Sequence, residues 1–319
     1  MRPELRMLPL DGEALPVNGL ANNSVIHLRR GESSKTELVT QGRLGAPLCI
    51  LLERGGKSLV RIPDGYLGWV NTPEIVSLTA EGLEEYRMAD KLVFKAQTGF
   101  SYSRADEDAR PVSDLIAGNI LVNEGREGGF YKVVYPDGRK AYVKAEEAMP
   151  ASEFFHQEPT STGLLETALR FHGIPYLWGG SSAKAIDCSG LSAVVFFLNG
   201  ILLPRDADLQ ALCGREISTE WSAEGLEAGD LLFFGRKATA DKPERATHVA
   251  IYIGGGEFIH SSGYRERVSI NHMDSTQAHF IPGYPEIFVR ATRIVGEEGG
   301  AFGPIVENEM YKTIVKNRE

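Results

Sequence analysis

One cysteine and two histidines are the residues of this chain best suited to covalent chemistry. Cys188 stands in DCSGLSAVVFFLNG, while His248 and His260 stand in THVAIYIGGGEFIHSS. A cysteine thiol becomes a nucleophile when a neighbouring base takes its proton, and histidine is a common base. These residues therefore predict a cysteine-dependent hydrolase, provided that the fold brings the three side chains together.

A buried helix is predicted to begin at the cysteine. Residues 191–198 are apolar on nearly every face, Asp187 occupies the N-cap position, and Asn199 with the following glycine ends the helix. In the first turn of a helix, backbone N–H groups and the helix dipole stabilise a thiolate. We therefore expect the pKa of Cys188 to be lowered.

The two histidines belong to a predicted β-hairpin. HVAIYI alternates as a strand does, GGG makes a tight turn, and EFIHSS returns. With the turn centred on Gly255, His260 lies opposite Ala250, and His248 becomes its diagonal neighbour on the same face. A one-residue change of register would put the imidazoles on opposite faces. In the predicted register, His248 takes the thiol proton and His260 orients its ring.

The other candidate residues fit structural roles. Cys49, in PLCILL, and Cys213, after QAL, are expected to be small buried hydrophobes. The cysteine count is three, and neither a CxxC nor an HExxH pattern occurs, so no disulfide framework, metal or cofactor is expected. Tyr176 and Trp178 fit either a core role or a place at the site.

Composition indicates a globular protein of more than one domain. The chain has 319 residues, of which 42% are hydrophobic and 24% are charged. Its net charge of -9 argues against binding to nucleic acid. No apolar run is long enough to span a membrane, and the first residues lack a secretory signal pattern. We expect a cytoplasmic protein, or a mature protein of the cell envelope or periplasm whose signal was removed. No obligate protein partner is indicated.

The first half of the chain contains an internal repeat, displaced by 73 positions. IPDGYLGWV at residues 62–70 matches YPDGRKAYV at residues 135–143, and further matches lie upstream. Short apolar runs separated by glycines and by a Pro-Asp-Gly turn predict short strands and tight hairpins. Two small all-β barrels are therefore expected, over residues 18–80 and 90–150. Both copies resemble bacterial SH3-like domains.

A third domain is predicted to span residues 160–294. Residues 149–162 are interpreted as the linker into it, and Thr162 is expected to cap its first helix. Residues 295–319 are expected to form a tail, with a flexible link and a short amphipathic end. No role is assigned to this tail or to residues 1–17.

Six motifs in this third domain resemble the NlpC-type (NlpC/p-sixty) cysteine peptidases: GIPYLWGG, DCSGL, LPRDADLQ, AGDLLFF, HVAIYIG and FIHSS. The resemblance implies a papain-like α+β domain, with helices on one side of an antiparallel sheet. The expected fold is thus multidomain, with two small all-β SH3-like barrels followed by an α+β papain-like cysteine peptidase domain. The resemblance also implies cleavage of γ-D-glutamyl–diamino acid bonds in peptidoglycan stem peptides.

The resemblance implies a role for individual residues. Cys188 is the nucleophile, His248 the base and His260 the orienting third member. Tyr176 and the backbone N–H of Cys188 are expected to stabilise the oxyanion. Asp206 is expected to receive the free amine of an N-terminal L-alanine. The other substrate-binding residues implied for this domain are Asp187, Ser189, Trp178 and Arg205.

The domain order resembles the dipeptidyl-peptidase subgroup of γ-D-glutamyl-L-diamino acid endopeptidases. In that subgroup, the first SH3-like domain closes one end of the groove, where a tyrosine and an acidic residue bind the free amino terminus. Tyr66, in the Pro-Asp-Gly-Tyr turn, matches the tyrosine, whereas the second copy has Arg139 there. Glu37, in TELVTQ, is the expected acid.

Three functions are compatible with these patterns. The first is a peptidase acting on short stem peptides with a free L-alanine amine. The second is an endopeptidase that cuts intact peptidoglycan and uses the SH3-like domains as wall-binding modules. The third is an inactive wall-binding protein, against which the complete set of Cys188, His248 and His260 argues.

We predict that Cys188→Ala abolishes peptide hydrolysis and leaves the fold intact, because removal of a triad nucleophile costs at least ~10³-fold in rate. The measurement is peptide turnover, with circular dichroism to monitor folding. Cys49→Ala and Cys213→Ala are the matched controls and should keep activity. Normal turnover by Cys188→Ala would contradict the assignment.

Overall fold

The computed structural model describes residues 18–299 and 301–315, which belong to two compact units. One unit extends to Ser152 and includes the C-terminal segment from Glu309, and the other comprises Glu153–Asn308. Residues 1–17, where no secretory signal is expected, Gly300 and residues 316–319 of the expected tail lie outside the described residues. In the described part of the chain, no helix is both long and apolar enough to cross a membrane.

The first unit contains the predicted repeat. The strands of the first copy are β1 (Asn18–Ala21), β2 (Val25–Arg29), β3 (Leu38–Arg43), β4 (Pro47–Arg54), β5 (Lys57–Arg61), β6 (Leu67–Asn71) and β7 (Ile75–Leu78). Helix α1 (Ala80–Met88) leads to the second copy, with β8 (Lys91–Phe94), β9 (Thr98–Tyr102), β10 (Pro111–Ile116), β11 (Ile120–Glu127), β12 (Phe130–Val134), β13 (Lys140–Lys144) and β14 (Ala148–Pro150). The repeat is confirmed, because the strand orders β3-β2-β6-β5-β4-β1-β7 and β10-β9-β13-β12-β11-β8-β14 are equivalent.

Equivalent residues make equivalent turns and cores. Gly65 has φ +87° and Gly138 has φ +84°, each in its Pro-Asp-Gly turn. Glycine adopts this left-handed conformation without the cost that a Cβ imposes. The buried core residues that correspond are Leu48, Val60 and Val70 in the first copy, and Leu121, Val133 and Val143 in the second. The sequence repeat is thus a repeat of both hairpin geometry and core packing.

The two copies approach each other backbone to backbone within this unit. The N–H of Ile120 donates to the Leu44 carbonyl at 2.9 Å. Asn119 is fully buried, and its Nδ2 donates to the Ser24 carbonyl at 2.9 Å. Gly45 has φ +73°, and a Cβ on it would lie 2.2 Å from the Ile120 carbonyl oxygen. Only glycine fits at this contact.

The second unit is the α+β domain. Its antiparallel sheet has the order β18-β23-β19-β20-β21-β22. These strands are β18 (Arg215–Ser218), β19 (Leu231–Arg236), β20 (Arg245–Gly254), β21 (Glu257–Ser262), β22 (Arg267–His272) and β23 (Phe288–Arg293). The helices are α3 (Ser161–Arg170), α4 (Cys188–Phe197), α5 (Ala207–Gln210) and α6 (Tyr284–Ile287), and α2 (Ala151–Phe154) spans the chain boundary at which this unit begins. Helix α4 packs against β20 and β21. The expected fold class is confirmed.

Two short strand pairs complete the second unit. β15 (Ser181–Ser182) pairs with β16 (Ala185–Ile186) just before the nucleophile, and β17 (Ile201–Leu202) pairs with β24 (Gly303–Pro304). The last helix, α7 (Glu309–Lys312), packs against β4 of the first unit.

The expected linker and tail are packed segments. Phe154 and Phe155 are 3% and 1% exposed, and the ring of Phe154 lies 5.4 Å from that of Phe197. The cap of α3 is Thr160 and not Thr162, because the Thr160 side chain accepts from the N–H of Gly163. In the tail, Tyr311 and Ile314 are buried. The polar residues suggested flexibility, but the apolar ones between them are held in hydrophobic cores.

We predict that Gly45→Ala destabilises the protein by ~1–3 kcal/mol more than Gly55→Ala, because only Gly45 faces a backbone atom. Gly55 has φ +58° and nothing within 4 Å of a built Cβ, so it controls for the cost of φ alone. The measurement is the free energy of unfolding in urea. Equal losses for the two variants would contradict the tight contact.

Candidate active site

The nucleophile turn is held by the carboxylate of Asp187. As predicted, Asp187 is the N-cap of α4, and its Oδ1 accepts from the N–H of Gly190 at 2.7 Å. Its Oδ2 accepts from the N–H of Gly179 at 2.9 Å. Cys188, the first residue of the helix, is half-buried. The cap therefore sets the position of the Cys188 thiol.

A buried ion pair fastens this turn to the segment before α5. The Arg205 guanidinium lies 2.6 Å from Asp187, and their side chains are 3% and 8% exposed. The same guanidinium donates to Ser189 Oγ at 2.8 Å. The resemblance implies that all three residues bind substrate. In the structure their polar atoms contact each other and hold the turn, and substrate contact stays a prediction.

Asp206 and Trp178 lie at the surface of the same region. Asp206 is half-buried and is the residue immediately before α5. Trp178 is 62% exposed in the loop that precedes the nucleophile. The core interpretation of Trp178 is therefore wrong, because most of the ring faces solvent.

The hairpin has the predicted register. Ile251 pairs with Ile259 and Tyr252 with Phe258, which is the pairing centred on Gly255. His248 Nε2 lies 2.7 Å from His260 Nδ1. His260 is fully buried and His248 is half-buried. The alternation of HVAIYI and EFIHSS thus places both imidazoles on one face.

Two bonds tie the hairpin to the nucleophile turn. The backbone N–H of Val249, the residue after His248, bonds to the Cys188 thiol. Ser261, the residue after His260, donates from its Oγ to the Ile186 carbonyl at 2.6 Å. Together these contacts place the strand of His248 beside Cys188.

Burial changes the pKa values of the reacting groups. Desolvation, and to a lesser extent Asp187, raises the pKa of Cys188 to about 11, although N–H groups of Val249 and Ser189 oppose this shift. The expected lowering is wrong because burial outweighs the helix start. Desolvation also lowers the pKa of His248 well below 6.5. The resting pair is therefore a neutral thiol and a neutral imidazole.

Tyr176 lies beside the segment that leads into Cys188, where it forms an isolated β-bridge with Ile186. Its backbone N–H donates to the Glu266 carbonyl at 2.9 Å, and Glu266 has φ +54°. Desolvation is the main cause that raises the pKa of Tyr176 to about 12, and the electrostatic effect of Cys188 adds to it. Its hydroxyl therefore stays neutral at physiological pH and is available as a hydrogen-bond donor.

The sequence interpretation missed several residues that surround the histidines. Asn271 Oδ1 lies 2.9 Å from His260 Nε2, and the Tyr284 hydroxyl lies 3.4 Å from His260 Nδ1. The ring of Phe234 lies 5.8 Å from that of His248. The alternating segment RVSINH was a usable signal for Asn271, because it predicts a strand next to EFIHSS. In residues 18–299 and 301–315, no group of three or more His, Cys, Asp or Glu side chains is arranged to hold a metal ion.

Tyr66 and Glu37 lie in the first copy of the repeat. Tyr66 is half-buried against the core of that copy, and its backbone N–H donates to Asp64 at 2.9 Å. Glu37 forms an ion pair with Arg30 at 2.7 Å. Arg139, the counterpart of Tyr66, lies 4.5 Å from the centre of the Tyr135 ring. The two copies therefore present different chemistry on the same turn.

Family models match both parts of the chain. Residues 173–280 match the NlpC/P60 family, and residues 28–75 match the bacterial dipeptidyl-peptidase SH3 domain. The first match contains Cys188, His248 and His260, and the second contains Glu37 and Tyr66.

Curated relatives and a solved structure extend over most of the chain. The γ-D-glutamyl-L-lysine dipeptidyl-peptidase of Bacillus subtilis (strain 168) is 28% identical, over 78% of this chain and 80% of that relative. Dipeptidyl-peptidase 6 of Lysinibacillus sphaericus is 28% identical, over 75% of this chain and 85% of that relative. The structure of an NlpC/P60 family protein from Bacillus cereus ATCC 10987 covers 87% of this chain and 99% of its own, with a TM-score of 0.74 and 22% identity. That structure supports the fold.

We predict that kcat/KM falls in acid with a midpoint below pH 6.5. A protonated His248 cannot accept the thiol proton, and its lowered pKa moves this protonation to lower pH than for an ordinary histidine. The measurement is kcat/KM against pH, with circular dichroism at each pH to separate inactivation from unfolding. A midpoint at or above 6.5 in the folded protein would contradict the lowered pKa.

Proposed function

We propose that this chain, in which a match to the NlpC/P60 family follows a match to the bacterial dipeptidyl-peptidase SH3 domain, hydrolyses γ-D-glutamyl–diamino acid bonds in peptidoglycan stem peptides. The preferred substrates are short stem peptides with a free N-terminal L-alanine, such as L-Ala-γ-D-Glu-diaminopimelate or its lysine equivalent. The main support for this chemistry is that Cys188 contacts the strand that contains His248. His248 Nε2 in turn lies 2.7 Å from His260 Nδ1.

In the proposed reaction, the Cys188 sulfur attacks the γ-carbonyl carbon of D-glutamate while His248 takes the thiol proton. The tetrahedral oxyanion is stabilised by the backbone N–H of Cys188 and the neutral hydroxyl of Tyr176. His248 then gives its proton to the leaving amine of the diamino acid, which leaves a thioester on Cys188. Water, activated by His248, hydrolyses the thioester and restores the thiol.

The preference for a free amine is assigned in this proposal to Asp206, Glu37 and Tyr66. A protonated amine that enters a closed groove must be paired and hydrogen-bonded, or its desolvation is not recovered. Asp206 and Glu37 supply the negative charge in this proposal, and Tyr66 bounds the pocket. The support is that residues 28–75 match an SH3 domain described for bacterial dipeptidyl-peptidases.

The names of the curated relatives guide the choice of substrate class in this proposal. Both curated relatives described above carry names that include dipeptidyl-peptidase, and the name of the Bacillus subtilis relative specifies L-lysine after γ-D-glutamate. Incubating the protein with free stem peptide and with intact sacculi tests the class of substrate, and cleavage of sacculi alone would favour the wall endopeptidase.

We predict that acetylation of the alanine amine makes L-Ala-γ-D-Glu-diaminopimelate a poor substrate, and that Tyr66→Ala slows cleavage of the free peptide at least tenfold. Tenfold corresponds to about 1.4 kcal/mol, a lower bound that lies beneath the ~2–5 kcal/mol that loss of one partner of a buried charged contact costs. The measurement is kcat/KM for both peptides. Arg139→Ala changes the equivalent residue of the second copy and should leave both rates unchanged.

Equal rates on the acetylated and free peptides would refute the amine pocket. An equal loss in Tyr66→Ala and Arg139→Ala would show that these substitutions act through the stability of the SH3-like copies.

A further inference from the structure

A buried amide continues the line of polar groups beyond the two histidines. Asn271 lies on β22, where Phe258 is its register partner and Ser269 faces His260. Asn271 is therefore the diagonal neighbour of His260 on the same face of the sheet. Its Oδ1 lies 2.9 Å from His260 Nε2, and Asn271 is 2% exposed. Because water does not reach this contact, its geometry decides where hydrogens lie.

The orientation of the Asn271 amide follows from its other partner. Its Nδ2 lies 2.6 Å from the backbone carbonyl of His279. A carbonyl accepts hydrogen bonds and does not donate them, so the NH₂ group must face His279. That carbonyl is itself held, because the backbone N–H of His272 donates to it at 3.2 Å. Oδ1 therefore faces His260 and acts as an acceptor only.

An acceptor at this position fixes the tautomer of His260. Nε2 must carry the hydrogen to donate to Asn271 Oδ1, and a neutral imidazole carries one N–H. His260 Nδ1 is then a lone pair, which accepts from His248 Nε2–H across 2.7 Å. With its hydrogen on Nε2, His248 has an unprotonated Nδ1. That nitrogen is the one left to take the thiol proton.

We propose that Asn271 is a positioning residue that sets the tautomers of both histidines, so that the His279 carbonyl ultimately determines which nitrogen of His248 is the base. The proposal rests on the proposed function of Cys188 and His248. Without Asn271, His260 is able to carry its hydrogen on Nδ1 and donate it to His248 Nε2. The hydrogen of His248 would then lie on Nδ1, where it blocks acceptance of the thiol proton.

Other groups near the histidines do not impose this order. Tyr284 reaches His260 Nδ1 at 3.4 Å, but a hydroxyl both donates and accepts. Ser269 Oγ donates to Asn271 Oδ1 at 3.3 Å, so Oδ1 acts as an acceptor toward this neighbour as well. Burial lowers the pKa of His260 to about 4, so the ring is neutral at the pH of an ordinary assay. A neutral imidazole has one N–H, and the acceptor Asn271 Oδ1 determines which ring nitrogen carries it.

The test combines tautomer and rate measurements. Long-range ¹H–¹⁵N spectra of the imidazoles report which nitrogen carries the hydrogen, and the full-length parent protein should show Nε2–H at both His248 and His260. In Asn271→Leu, both histidines should gain Nδ1–H. The value of kcat/KM should fall at least tenfold, towards the ~10⁴-fold known for a wrong tautomer in another triad. Unchanged tautomers in a folded Asn271→Leu would overturn the proposal.

Two further variants separate control of the tautomers from simple support of the backbone at His279. Asn271→Asp keeps an acceptor for His260 but loses the donor to His279, so at pH 8 it should keep Nε2–H and exceed Asn271→Leu in activity. If the two variants lost activity equally with unchanged tautomers, the role of Asn271 would be only to hold the backbone at His279 in place. His279→Ala removes a side chain but keeps the carbonyl, and it should match the parent.

The spectra do not depend on any substrate. If no stem peptide is cleaved by the parent while the tautomers respond as described, the proposed function fails and the control of the tautomers by Asn271 is supported. If peptides are cleaved normally by Asn271→Leu, the role of Asn271 in setting the tautomers is refuted and the proposed function is supported.

Discussion

The buried carboxylate of Asp187 is the constraint on which the active site depends. It accepts from Gly190 at the start of α4 and from Gly179 in the preceding loop, and it pairs with Arg205 at 2.6 Å. A charge this deep is tolerated because each oxygen has a donor. Removing one partner of such a pair typically costs about 3–5 kcal/mol. One side chain thus joins the glycine-rich loop, the nucleophile and the segment before α5.

The two histidines are also hydrogen-bonded polar groups of the site, but here the groups are neutral. His248, His260 and Asn271 form a line of hydrogen bonds that ends on a backbone carbonyl. In a low-dielectric interior, a line of satisfied neutral groups avoids the desolvation cost of a resting ion pair. The raised pKa of Cys188 and the lowered pKa of His248 have this common cause. Charge is then needed only while the proton is being transferred.

The repeat shows how one backbone carries two kinds of surface. Gly65 and Gly138 make the same turn with nearly the same φ, and equivalent valines fill the cores. The next residue is Tyr66 in one copy and Arg139 in the other. Turn geometry constrains the glycine, because a Cβ is costly there. The neighbouring side chain is free to differ, and chemical specialisation is concentrated at such positions.

The sequence by itself determined the features that depend on local pattern. The repeat, the Asp187 cap and the register that pairs Ile251 with Ile259 were all predictable. Each follows from spacing within a short segment, namely turn glycines, a capping side chain and alternation of period two. The class of the third domain followed from the family resemblance that its six motifs carry, and not from spacing.

Only the tertiary structure decided the features that depend on contacts between distant segments. The pKa of Cys188 rises because other segments exclude water from it, and no local pattern measures desolvation. Phe154 and Ile314 stand in polar segments but are buried by residues far away in sequence. Asn271 gains its importance from His279 and His260, which two separate backbone segments bring to opposite ends of its amide. Hydrogen bonds of this kind are properties of the packed molecule, because each needs two groups at a fixed distance with water excluded.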